Sequence, residues 1–371
     1  MKINPSQRLE SLDILRGLDL FLLVFLQPIL MSIGQIWDNQ AYHALLNQFE
    51  HEAWEGFRLW DLIMPLFLFM TGITIPFSLD KKIGNDSPEV YRHIVRRFLI
   101  LWIIGMVVQG NLLAFDWHVF RLYSNTLQAI ATGYLIISIA YLHLDFKKLI
   151  GLGLTLLIIY SIPMSTWGGY EPNYNFAIYL DKMFLQNFMD GVSWQGDEWV
   201  FSENYQYTWI WSSLTFAVTV LMGCLTGKVI KDGKDKDPNG TTIKLIIAAV
   251  LCIVVSLIWQ FQQPIIKKLW TGSMTLFSGG ICMLLMAIFY YIIDVKHVAK
   301  PFRWLKVYGM NSIVAYGLAE VINFKSVVHS FTFGIEEHFP ELEHLILTVG
   351  NYSIVLGILI LMYKKSVFVK I

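Results

Sequence analysis

An all-α membrane protein of about ten transmembrane helices, both termini cytoplasmic, is the fold class this sequence predicts, and three features carry the expectation. Of 371 residues, 55% are hydrophobic and only 15% charged, with a mean hydropathy of +0.52. One soluble core cannot hide that much apolar surface, so hydrocarbon must serve as solvent. Apolar runs recur along the whole chain, and the connections between them alternate between basic and acidic.

Crossing a ~30 Å hydrocarbon layer takes about 20 residues. Candidate spans fall at 14–33, 59–79, 98–115, 126–144, 149–164, 209–229, 243–260, 270–293, 305–324 and 345–363. The fifth is short. The first is expected to remain as a helix, because its apolar run exceeds a signal-peptide core and no small-x-small cleavage site clearly follows.

Basic residues near helix ends set orientation. Lys2 and Arg8 precede the first span, while Lys81, Lys82, Arg92, Arg96 and Arg97 lie between the second and third. Lys147 and Lys148 precede the fifth, Lys228, Lys231, Lys234, Lys236 and Lys244 flank the sixth connection, Lys296, Lys300, Arg303 and Lys306 follow the eighth span, and Lys364, Lys365 and Lys370 form the tail. With ten spans these share one side. The opposite connections carry Asp38, Glu50, Glu52 and Glu55, then Asp181, Asp190, Asp197, Glu198 and Glu203, then Glu336, Glu337, Glu341 and Glu343. Lys267 and Lys268 break the pattern. The termini are thus expected in the cytoplasm and His51 outside.

A single domain over 1–371 is expected, with its longest connection, 165–207, on the outer face. Apolar residues at helical spacing from Tyr174 to Met189 predict an interfacial helix there. The segment from Lys231 to Gly240 reads as a solvated loop. Lys plus Arg equals Asp plus Glu at 28 each, which leaves no general attraction to nucleic acid. Cys224, Cys252 and Cys282 all lie in apolar runs, so neither a disulfide framework nor a metal cluster is indicated.

Chemistry concentrates from His51 to Phe69, where an imidazole and the Asp61 carboxylate stand at the mouth of an apolar span. An imidazole accepts a proton from an attacking amine or hydroxyl near neutral pH, and a carboxylate fixes its tautomer. Such base catalysis is typically worth about 10²- to 10⁴-fold in rate. Asp19 follows Arg16 by three residues on the first span, a spacing open to a structural ion pair or to donor binding. Gly223 and Gly227, spaced Gly-x-x-x-Gly, read as a helix-packing surface.

These residues carry a resemblance. Arg8-Leu-Glu-Ser-Leu-Asp-Ile-Leu-Arg-Gly17, the pattern His51, Trp54, Gly56, Asp61, Leu62, Pro65, Phe67, Leu68 and Phe69, the pair Arg96-Arg97, Thr126-Leu-Gln-Ala-Ile-Ala131, Pro264 with Lys267-Lys-Leu-Trp-Thr-Gly-Ser273, and Tyr308-Gly-Met-Asn-Ser-Ile313 together resemble the catalytic region of the heparan-α-glucosaminide N-acetyltransferase family. The similarity runs through nearly the whole chain, and the His51 motif is its most specific part.

The resemblance implies transfer of an acetyl group from cytosolic acetyl-CoA to an amine or hydroxyl of a sugar across the membrane. His51 is then the catalytic residue, as acetylated nucleophile or as general base, with Asp61 beside it. Arg16, Arg96 and Arg97 are candidates for the CoA phosphates, Gln128, Ser273 and Asn311 for the donor's path, and Gln27 and Trp54 for the sugar. The implied setting is the inner membrane of a bacterium, the implied partners are the bilayer and a small sugar acceptor, and a homodimer is expected from the family alone. The sequence departs from the family at Gln27, where Asn is common, and at Ala129, where an arginine is lost, which leaves the acceptor open. An exporter of a sugar or lipid-linked glycan is the alternative reading, in which Asp19, Gln128 and Asn311 line a path.

Overall fold

The computed structural model describes residues 9–37, 39–84, 87–202 and 207–369. Arg8 of the opening motif, and Lys2, Asp38, Glu203 and Lys370 among the orienting charges, lie outside the described residues, as does the side chain of Glu336. The helices are α1 (Glu10–Gly34), α2 (Gln40–Leu46), α3 (Leu59–Lys82), α4 (Pro88–Val108), α5 (Thr126–His143), α6 (Phe146–Thr166), α7 (Phe176–Leu185), α8 (Ser213–Gly233), α9 (Pro238–Trp259), α10 (Gly272–Val295), α11 (Lys306–Gly309), α12 (Ser312–Val321), α13 (Lys325–His338) and α14 (Pro340–Lys364). Strands β1 (Val192–Gln195) and β2 (Glu198–Phe201) form one antiparallel hairpin.

Among the described residues, eight helices are long and apolar enough to cross a membrane: α1, α3, α5, α6, α8, α9, α10 and α14. The chain is an integral membrane protein of helical class. Two of the ten expected spans differ. The third, α4, has 21 residues, but Arg92, Arg96 and Arg97 occupy its first half, so its apolar part is short. The ninth is broken at Asn311, whose φ of −126° and ψ of 45° are not helical, and α12 is left with 10 residues. The fifth, expected to be short, is a 21-residue helix because Asp145 caps it by accepting the Lys148 N–H at 2.9 Å and starts it early.

Helix boundaries follow side chains legible in the sequence. Asn125 Oδ1 accepts from the Leu127 and Gln128 N–H groups to begin α5, and Asn175 Oδ1 from Ile178 to begin α7. Asp237 with Pro238 at the first helical position begins α9. Single π-turns interrupt α1 at Leu22–Leu26 and close α10 at Tyr290–Val295.

The chain divides into two compact units. One takes Met1–His51, Arg58–Ile63 and Phe289–Lys370. In it α1 lies tightly on the segment through α11: a Cβ on Gly17 would meet the Leu305 carbonyl oxygen at 2.0 Å, and one on Gly309 would meet that of Asp13 at 2.1 Å. Ile14, Ile293, Ala299 and Leu305 form its core, with Phe21, Phe289 and Phe302 against it. Asp294 accepts from the Glu10 and Ser11 N–H groups at 3.2 Å each and so caps α1 from across the fold.

The other unit takes Glu52–Phe57 and Met64–Ile288. Gly223 and Gly227 do pack helices: a Cβ on Gly223 would sit 1.9 Å from the Phe69 carbonyl oxygen and one on Gly227 would sit 2.5 Å from that of Ile73, while Gly72 meets Val220 likewise. At one end of this unit Asp80 accepts from Lys228 at 3.2 Å, from Lys231 at 2.8 Å and from the Tyr141 hydroxyl, and Tyr91 bonds His143 at 2.9 Å. At the other end Asn125 reaches the Gly105 carbonyl at 2.8 Å, and Leu122 N–H donates to Phe188 at 3.0 Å. Helix α4 therefore runs antiparallel along α5, from Tyr91 to Gly105, despite its arginines. The hairpin was not expected; Gly196 (φ 51°) and Asp197 (φ 84°) make the two-residue turn that requires it.

Candidate active site

His51 and Asp61 come together within one unit. Asp61 Oδ1 lies 2.9 Å from His51 Nδ1, and the Asp61 side chain is wholly buried while that of His51 is 42% exposed. The second carboxylate oxygen accepts the Arg58 N–H at 3.0 Å, and Asp61 N–H donates to the Arg58 carbonyl at 3.0 Å. Asp61 is thus the third residue of the 3₁₀ turn that opens α3 and caps its own helix. A buried acceptor tied at both oxygens holds Nδ1 as the protonated nitrogen and makes Nε2 the basic one.

The turn is braced locally. The Arg58 guanidinium donates to the Asn47 carbonyl at 3.3 Å and lies 3.9 Å from the Glu50 carboxylate, Leu59 N–H donates to Gln48 Oε1 at 3.4 Å, and Trp60 packs on Phe49. Gln27 Nε2 donates to the Phe49 carbonyl at 3.4 Å, which places Gln27 against the same turn, two residues before His51. Asn47, Gln48 and Phe49 carry no motif of their own. Their signal was only the distance, eleven residues or fewer, from Arg58 and Trp60.

The residues that follow His51 are held in the other unit. Gly56 N–H donates to the Ile265 carbonyl at 2.9 Å, Glu55 forms an antiparallel bridge with Ile266, and the Trp54 indole donates to the Tyr170 carbonyl at 3.0 Å. Gln263 donates to the Tyr170 hydroxyl at 2.9 Å and accepts the Gly272 N–H at 2.6 Å. Residues 54–56 therefore pair with the start of the Pro264 to Ser273 motif inside this unit. Gly56 has φ of 125°, a conformation that accounts for glycine in the motif.

The other candidates are tied into local structure. Gln128 donates to the Leu122 carbonyl at 2.6 Å and accepts from Ser124 N–H and Asn125. Ser273 donates to the Pro264 carbonyl at 3.0 Å. Asn311 donates to the Val367 carbonyl at 3.0 Å and accepts the Val369 N–H at 3.0 Å, pinning the C-terminal tail. Arg96 is exposed, and Arg97 lies with its guanidinium 4.3 Å from the Tyr134 ring centroid. Arg16 is half-buried on α1, but the expected pairing with Asp19 is absent: both Asp19 carboxylate oxygens are buried with no hydrogen-bond partner. Three residues along a helix allow contact without requiring it, and here the Asp19 carboxylate turns into the packed interior.

A helical integral membrane protein with a hydrogen-bonded imidazole–carboxylate pair at the start of one span is the class this arrangement defines. A family model described as a domain of unknown function, DUF5009, matches residues 8–150, the stretch that contains the pair. The chain is also 22% identical to heparan-alpha-glucosaminide N-acetyltransferase of Mus musculus, over 99% of this chain and 61% of that protein, and 22% identical to that of Homo sapiens, over 98% and 60%. These matches bear out the resemblance read from the motifs. The chain spans about three-fifths of the length of these curated relatives.

Proposed function

We propose that this protein is a membrane acetyltransferase that uses acetyl-CoA to acetylate a sugar, at an amine in the first instance, with His51 oriented by Asp61. The observation that carries the reading is the wholly buried Asp61 carboxylate at 2.9 Å from His51 Nδ1. A carboxylate buried beside a half-exposed imidazole fixes its tautomer, and the named activity of the relatives is an N-acetyl transfer.

The same geometry serves two routes. In direct transfer, the acceptor amine attacks the thioester carbonyl, its proton passes to His51 Nε2, the C–S bond breaks, and the CoA thiolate leaves and takes up the proton. In the two-step route, Nε2 itself attacks the thioester, expels the thiolate and holds the acetyl group until the amine displaces it. In both, Asp61 stabilises the positive imidazole that forms. Arg16, Arg96 and Arg97 are the cationic side chains assigned to the donor's phosphates, for which guanidinium geometry suits. The acceptor side is assigned to Gln27 and Trp54. Ten traversals with cytoplasmic termini and His51 outward, in a bacterial inner membrane, are part of the proposal; the passage of α4 along its unit supports the third traversal.

The test is purified protein in nanodiscs with acetyl-CoA and a panel of amino sugars, reading free thiol. Release of CoA that depends on both acceptor and His51 supports the reading, and no release with any acceptor, unchanged by His51→Ala, overturns it. Radiolabel retained on His51 from [¹⁴C]acetyl-CoA without acceptor identifies the two-step route.

A further inference from the structure

In the unit that holds α4 to α9, the loop 109–125 and the hairpin β1–β2 build an exposed aromatic surface with a polar rim. Trp194 and Trp199 are directly opposed across the hairpin and share one face, with ring centroids 5.2 Å apart. The His118 imidazole lies against both, at 4.8 Å from Trp194 and 5.7 Å from Trp199. Its Nδ1 is 2.8 Å from Asp116 Oδ1, which also accepts the His118 N–H at 2.9 Å. These two bonds, backbone first, hold the Asp116 carboxyl below its usual range and keep it charged. Nearby Trp117 is 71% exposed and packs edge-on to Phe120 and Phe188.

One carboxylate is set against this surface: Asp116, through its bonds to His118, while Glu198, paired with Gln195, lies on the opposite face of the hairpin from the two indoles. Of the cations, Arg121 is spent on the Phe120, His118 and Val192 carbonyls, and Lys182 lies over the Phe201 ring at 4.1 Å. Seating the face in hydrocarbon would bury a charged Asp116, a costly step. Water-borne ligands with apolar C–H faces and a positive charge fit instead, because an ammonium is drawn both to the faces of tryptophan rings and to the Asp116 carboxylate.

We propose that His118, Trp194 and Trp199, with Asp116 beside them, form a binding site for a cationic amino-sugar chain. The inference deepens the proposed function, since it rests on an amino sugar as acceptor, and it adds a surface apart from the residues assigned to acetyl transfer. The sugar ring stacks on the indoles, its ammonium faces Asp116, and His118 Nε2, which has no hydrogen bond in the described structure, meets a hydroxyl.

The experiment is a titration of the full-length protein in nanodiscs with a fully deacetylated chitosan tetramer, read by tryptophan fluorescence and by calorimetry, with the N-acetylated tetramer and a neutral glucan tetraose alongside. Saturable binding of the deacetylated tetramer, about tenfold weaker in Trp194→Ala and in Asp116→Asn and restored in Trp194→Phe, is the expected result. Equal binding by parent and Trp194→Ala, with folding checked by thermal melting, overturns the site. So does a variant whose only change is weaker association with liposomes, which would assign the rings to the membrane interface. CoA release on free glucosamine is measured in the same variants. Binding without any turnover defeats the acetyltransferase reading and leaves the site standing, whereas turnover with an unchanged tetramer KM in Trp194→Ala defeats the site alone.

Discussion

Asp61 holds His51 with one carboxylate oxygen, 2.9 Å from Nδ1, and the start of its own helix with the other, 3.0 Å from the Arg58 nitrogen. The same side chain therefore fixes an imidazole and the turn that carries it. Removing its charge separates these two functions, because an amide of the same shape still accepts from Arg58 and no longer stabilises a positive imidazole. Asp61→Asn is expected to fold with little change in melting temperature and to lose about 10²- to 10⁴-fold in kcat. Asp61→Ala is expected to lose stability as well, by about 1 kcal/mol from the lost cap. Thermal melting of both variants beside acetyl transfer rates checks this; equal melting losses would show that the cap is not carried by the carboxylate.

Asn311 offers a different contrast. Its amide ties Val367 and Val369 to the break between α11 and α12 through two hydrogen bonds of 3.0 Å. Asn311→Ala removes both at about 1 kcal/mol each. The tail from Ser366 onward is then expected to become sensitive to protease while the KM for acetyl-CoA stays within twofold. A large rise in that KM with an intact tail would return Asn311 to the donor's path.

Packing of α3 on α8 is expected to be the least forgiving place in the chain. Phe69 and Ile73 present carbonyl oxygens where Gly223 and Gly227 lack side chains, and a Cβ at Gly223 would overlap the Phe69 oxygen at 1.9 Å. Backbone cannot yield as a flexible side chain can. Gly223→Ala is expected to cost about 1 to 3 kcal/mol, the range of overpacking, whereas Gly151→Ala, with nothing within 4 Å, is expected to be neutral or slightly stabilising. Melting temperatures of the two variants in the same detergent provide the comparison.

What was legible in the sequence, and what was not, has a physical pattern. Apolar length and caps such as Asn125 and Asp145 are local signals, and eight helices with the Gly223 and Gly227 packing followed from them. The pairing of His51 with Asp61 was also local, ten residues apart at a helix mouth. Hydropathy misplaced the span at 98–115, where arginines occupy the first half of a helix that begins at Pro88, and missed the break at Asn311, whose side-chain amide is satisfied by a tail 56 residues away. The bridge from Glu55 to Ile266 and the bond from Trp54 to Tyr170 join segments more than a hundred residues apart. Such partners have no signature in spacing, so the anchoring of residues 54–56 appeared only in three dimensions.

Asp181 gives the connection 165–207 a pH dependence of definite sign. It lies on α7, wholly buried, and accepts the N–H groups of Trp209 at 2.7 Å and Ile210 at 2.9 Å, thereby clamping α7 to the residues that lead into α8. Burial raises its carboxyl from 3.8 to about 7, outweighing the two N–H donors that favour the charged form. Between about pH 4 and pH 7 the folded chain therefore holds a proton that the unfolded chain has released, and stability falls as pH rises through this window. The contribution is full below about pH 4 and gone above about pH 7. Amide hydrogen exchange over 176–185, corrected for intrinsic rates, is expected to show protection of α7 declining from pH 5 to pH 8. In Asp181→Asn the acceptor remains and the titration does not, so protection is expected to be flat with pH and to exceed that of the parent at pH 8. A parent profile as flat as the variant's would mean that Asp181 is charged throughout, and that the two N–H groups outweigh burial.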